Sequence, residues 1–81
     1  MRHADIWQKI GLNILYYRKI KNLTQMGLAE RCRGNGSGDN RSSRNYIQRI
    51  ETGVSSCTVD MLADIAEALE VPLAKLFEFK E

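Results

Sequence analysis

Arg44, Asn45, Gln48 and Arg49 carry the most specific chemistry available to this 81-residue chain. An Arg guanidinium offers two parallel donors that match the O6 and N7 acceptors of guanine. An Asn or Gln amide offers the donor and acceptor that match adenine. None of these side chains is a nucleophile or a general base, so the chemistry they suit is recognition of nucleic-acid base edges. In an α-helix the four would share one side. Tyr46, Ile47 and Ile50 would fall on the other, facing a core. Ser43 can cap the start of such a helix and Gly53 can stop it. Residues 43–53 therefore read as a short helix, apolar behind and Arg/Asn/Gln in front, suited to the major groove of DNA.

Four further helical segments are expected to position that helix. The first runs over about residues 5–21, with Ile6, Ile10, Ile14 and Tyr17 as its buried stripe and Asn22 as the left-handed residue that ends it. Thr24 caps the second, about residues 25–33, which buries Leu28, Ala29 and Cys32. A Gly/Ser/Asn/Asp loop over about residues 34–42 leads to the third helix, about residues 44–51. Thr58 caps the fourth, with Asp60 in its first turn and Met61, Leu62, Ile65, Ala66 and Leu69 as its apolar face. Pro72 opens a final short helix that buries Leu73, Leu76 and Phe77. No repeat or strand pattern competes, so the whole of residues 1–81 is expected to be one all-α domain, a compact bundle of five short helices.

Composition narrows the function. The chain is 43% hydrophobic and 27% charged with one proline, as in an ordinary globular domain. Its longest apolar run is a few residues, too short for a membrane span, and no secretory leader pattern opens it, so a cytoplasmic location is expected. The net charge of +2 conceals an asymmetry. Residues 31–49 hold Arg31, Arg33, Arg41, Arg44 and Arg49 against Asp39 alone, while residues 58–81 hold two Lys against six Asp/Glu. A basic middle beside an acidic end can orient a domain on a polyanion. Cys32 and Cys57, with a distant His3, are too few for a zinc site. No metal or cofactor is called for, and no carboxylate, Ser/Cys–His or metal constellation suggests an enzyme.

In order along the chain, Ile10-Gly11, Arg18, Leu23-Thr24-Gln25, Leu28-Ala29-Glu30, residues 43–53, residues 62–69 and Val71-Pro72-Leu73 resemble the lambda-repressor-like helix-turn-helix family, also called Cro/CI or XRE-type. The resemblance covers about residues 10–77. It implies sequence-specific binding of double-stranded DNA by a small transcriptional regulator, with Arg44, Asn45, Arg49 and Gln48 at base edges. It also implies that Gln25 holds a phosphate with its side chain and the helix N-terminus. Thr24, Tyr46, Arg41, Ser43, Ser55 and Ser56 are the other expected phosphate contacts. Arg18 and Glu51 match an ion pair that ties the first helix to the third, and so belong to the scaffold.

The chain departs from the family pattern in three places. The connection before the third helix is about eight residues longer than usual. Uncharged Val54-Ser55-Ser56-Cys57 follows Gly53 where Lys/Arg and Pro are common, leaving only backbone N–H and hydroxyl groups for phosphate. Glu70 stands where a helix-ending Gly is common. Leu12, Leu15, Tyr16 and Ile20 form a second apolar stripe on the first helix which, with Phe79, is a candidate homodimer surface. No small-molecule-sensing domain is expected. A rival reading is an antitoxin-like or other protein-interaction module whose main role is binding a partner protein through the acidic C-terminal half.

Overall fold

The computed structural model describes residues 3–33 and 44–79, except the side chains of Arg33 and Arg44. It contains four α-helices, α1 (Ala4–Ile20), α2 (Gln25–Arg33), α3 (Arg44–Glu51) and α4 (Val59–Leu69), followed by a 3₁₀ helix (Leu73–Phe77). No strand occurs among the described residues. The loop of residues 34–42, with Arg41, and the cap residue Ser43 lie outside the described residues.

Local chemistry sets the helix ends. Thr24 Oγ1 accepts the Gly27 N–H at 2.9 Å, and Thr58 Oγ1 accepts the Met61 N–H at 3.1 Å. Each hydroxyl satisfies a first-turn N–H that has no partner within its own helix. At the other ends, Asn22 and Glu70 adopt left-handed φ values of 59° and 62°. Asn tolerates that region; Glu does so at a cost. The Glu70 carboxylate is held by Lys21 Nζ at 2.6 Å, and that hydrogen bond and charge draw its pKa below the ordinary carboxylate value.

The core is one cluster contributed by every element: Ile10 and Ile14 from α1, Leu28, Ala29 and Cys32 from α2, Ile47 and Ile50 from α3, the whole expected face of α4, and Leu76. α3 packs against both α1 and α2, while the 3₁₀ helix closes the bundle against α1 and α4. Trp7 and Tyr46 pack on the core margin.

Two expected core residues lie outside it. Ile6 is 44% exposed, while the adjacent Trp7 packs against the core at this end of α1. Phe77 is 43% exposed. The final helix has three residues per turn, so Leu73 and Leu76 share the inner side and Phe77 turns out. Phe79, in the extended chain beyond Glu78, packs partly against the core instead. Asn13 fastens this segment to α1, donating from Nδ2 to Leu76 O at 2.9 Å and to Glu78 O at 3.0 Å.

Burial pushes the Cys32 thiol up to about 11, with the Asp64 carboxylate adding to the shift; burial alone raises Cys57 to about 11. A raised folded pKa means that the thiols ionise first in the unfolded chain. Their contribution to stability is complete below the ordinary value of 9.0 and is lost as pH rises through about 11. Urea unfolding midpoints should fall over that window, less steeply in Cys32→Ala. Equal slopes would mean that Cys32 ionises as readily in the folded protein as in the unfolded chain.

Candidate nucleic-acid interface

α3 is the most clearly two-sided element of the fold. Ile47 and Ile50 have no solvent exposure and Glu51 has 5%, whereas Asn45, Gln48 and Arg49 are exposed. At about 100° per residue, Asn45, Gln48, Arg49 and the following Thr52 occupy an arc about 100° wide. Thr52 N donates to Gln48 O at 3.1 Å, so the helical register continues through it. Of the ion pairs among the described residues, none uses Arg49.

The helix is anchored through its last residue. Glu51 Oε2 accepts Arg18 Nε at 2.6 Å, and Oε1 accepts Arg18 Nη2 at 3.1 Å. Arg18 Nη1 reaches Leu23 O at 2.8 Å. The side chains are 10% and 3% exposed. A pair buried this deeply holds its geometry only because other hydrogen bonds complete it. Gln25 Nε2 supplies one of them, donating to Glu51 Oε1 at 3.1 Å. An amide nitrogen carries two donors, so Gln25 can hold Glu51 with one and direct the other outward from the start of α2. Its role as a brace on α3 was not among the sequence expectations.

Two close contacts seat α3 on α1. A Cβ on Gly11 would lie 2.4 Å from Ile50 O and 2.5 Å from Glu51 O, so only glycine lets the helices approach this far. Gly53, at φ 78°, ends α3 and lies against Gln8, whose Cγ would sit 2.6 Å from a Cβ there.

The turn after α3 differs from expectation. The N–H groups of Val54 and Ser55 both donate to Arg49 O, at 3.0 and 3.2 Å, and Thr52 Oγ1 donates to Gln48 O and Arg49 O at 3.0 and 3.2 Å. The Ser55 N–H therefore closes the helix and is not directed to phosphate. Ser55 is half-buried and Ser56 exposed, leaving their hydroxyls as the candidate groups; Thr24 is exposed, and Gln25 and Tyr46 are half-buried. Arg31, counted in the basic middle, donates from Nη1 to Ala68 O at 2.9 Å and approaches Glu70 at 3.8 Å. It caps the C-terminus of α4. Such a tertiary contact leaves no trace in local sequence.

The expected second stripe on α1 is narrower than predicted: Leu12, Tyr16 and Ile20 are exposed, while Leu15 is half-buried. Phe79 packs partly against the core, and Lys9 Nζ stands 5.6 Å from its ring centroid. Among the described residues no three His, Cys, Asp or Glu side chains cluster as a metal site, and no helix is long and apolar enough to cross a membrane.

The family model described as Helix-turn-helix matches residues 14–76, more than three quarters of the chain, from the second half of α1 through α2, α3 and α4. No curated protein and no solved structure matches at a significant level. Taken with the all-helical bundle, that match establishes that the chain belongs to the lambda-repressor-like, Cro/CI or XRE-type helix-turn-helix family of DNA-binding regulatory domains.

Proposed function

We propose that this domain is a small transcriptional regulator that reads a two-fold DNA operator as a homodimer, with α3 of each copy in the major groove. The observation that carries the base-reading assignment is the outward face of α3. Asn45, Gln48 and Arg49 are exposed together, while Ile47, Ile50 and Glu51 fix the helix from behind. Arg44 joins them as a reader by its place in the first turn. Arg49 and Arg44 suit guanine, and Asn45 and Gln48 suit adenine.

Phosphate contacts are assigned to Gln25 and Thr24 at the start of α2, where the helix dipole favours an anion. Tyr46, Ser55 and Ser56 are assigned to the flanks, and Arg41 and Ser43 to the segment before α3. Two copies related by a two-fold axis would place their α3 helices about 34 Å apart, one turn of DNA.

Selection of bound duplexes from a random pool supplies the operator, and variants then divide the contacts. Arg49→Ala and Arg44→Ala should each lose about 1–3 kcal/mol at defined base pairs and relax the preference there. Gln25→Ala should weaken specific and random duplexes alike. Affinity should fall steeply with salt, since phosphate contacts release counterions. Equal losses on specific and random DNA for both classes of variant would remove the base-reading assignment.

A further inference from the structure

The exposed apolar residues of α1 are not scattered. Leu12, Tyr16 and Ile20 are 59%, 59% and 56% exposed and stand four residues apart, so they form one ridge along the helix. Monomers usually expose such side chains singly. Beside the ridge, between α1 and residues 78–79, lies a groove of about 550 Å³ in which Tyr16, Tyr17 and Phe79 supply aromatic surface and Lys9 and Glu78 supply charge. Its shape is held from both sides: the tyrosine rings meet edge to face at 5.1 Å, and Asn13 holds the carbonyls of Leu76 and Glu78. A ridge and a groove side by side on one chain are what a two-fold contact requires, because the same patch must meet itself.

We propose that Leu12, Tyr16 and Ile20 of one copy seat in the groove beside α1 of a second copy, making the outer face of α1 the dimer contact. This rests on the two-fold operator reading above. Charge favours a second copy over another partner. The face carries Lys9 and Lys19, both exposed. Two α1 helices crossing antiparallel through their outer faces, with the axis at the level of position 14 along the helix, bring position 9 of one copy toward position 19 of the other. Lysine against lysine would repel. Glu78, tied beside Asn13, supplies the counter-charge for Lys19 of the second copy, and its present partner Lys75 is exposed and 3.4 Å away. An acidic helix from another protein would satisfy the lysines but set its carboxylates against Glu78. The pairing also leaves the DNA face open. Leu12, Tyr16 and Ile20 lie about 100°, 140° and 180° around α1 from Gly11, the residue pressed against α3.

Sedimentation of the whole chain at tens of micromolar tests this, with single-half-site DNA binding as the check that each variant folds and keeps its α3 surface. The wild type should be dimeric and Tyr16→Glu monomeric, with half-site affinity unchanged. Lys19→Glu and Glu78→Lys should each weaken self-association by at least about tenfold, because each homodimer then holds two like-charge contacts. An equimolar mixture of these two variants should restore the dimer, since each contact in the mixed pair joins opposite charges. A wild-type dimer that persists in Tyr16→Glu and in both charge reversals would overturn this interface while leaving the two-fold reading standing. A wild type that stays monomeric with and without DNA would overturn both, and half-site binding would then show whether the assignment of α3 survives alone.

Discussion

Glu51→Ala is expected to destabilise the domain by about 3–5 kcal/mol, a large part of what a chain of this size has to lose. The substitution leaves the Arg18 guanidinium, only 10% exposed in its side chain, with the Leu23 carbonyl as its remaining partner. A buried charge without its counter-ion is the costly state, far more than the pair itself is worth. Gln25 loses its acceptor in the same step, so the start of α2 loosens along with the end of α3. Glu51→Gln keeps an oxygen for both donors but removes the charge, and should fall between wild type and Glu51→Ala. Urea unfolding followed by circular dichroism measures the series. A loss below about 1 kcal/mol for Glu51→Ala would place the pair among solvated surface contacts, contrary to its burial.

The second large effect is at Gly11, and its sign makes it informative. In the middle of a helix, Gly→Ala ordinarily adds about 1 kcal/mol of stability through backbone propensity. Here the added methyl would meet the carbonyl oxygens of Ile50 and Glu51 at 2.4 and 2.5 Å. Those are backbone atoms and cannot rotate aside, so α1 and α3 must separate. The expected outcome for Gly11→Ala is a net loss at or above the usual overpacking range of about 1–3 kcal/mol. Loss of DNA affinity should accompany it, because the end of α3 moves with its carbonyls. Thermal unfolding and half-site binding read the two effects. A gain in stability would mean that α1 and α3 do not approach this closely.

Where an element's residues carry their own instructions, the fold was legible in the sequence. Thr58 caps α4 and its five apolar positions are all buried; Asn22 and Glu70 sit in the left-handed region as their positions implied. The misses have physical causes outside local pattern. Ile6 continues the helical stripe but stays 44% exposed, with Trp7 packed on the core at this end of α1. A 3.6-residue period puts Phe77 inside, whereas the segment winds with a period of three and turns it out, leaving Phe79, beyond the helix, to pack partly on the core. Gly11 was visible as part of a familiar pattern, but the need for it appears only once the carbonyls of Ile50 and Glu51 are in place.

The candidate site divides in the same way. The exposed and buried sides of α3 follow from the residue types, and Arg18 and Glu51 meet as the resemblance implied. The second task of Gln25, the diversion of Arg31 to the end of α4, and the use of the Ser55 N–H within the turn depend on residues distant in sequence or on backbone geometry.

The carbonyl of Arg49 gathers two backbone N–H groups and a threonine hydroxyl. The architecture at that position therefore depends on the peptide unit, while the guanidinium is held by no ion pair among the described residues. Any residue except proline can preserve the peptide, since only proline lacks the N–H and fixes φ. A library varied at position 49, together with exposed Asn45 and Gln48, can thus search for new operator preferences at little expense in folding. On the base-reading role proposed for α3, target choice is adjustable here without rebuilding the domain.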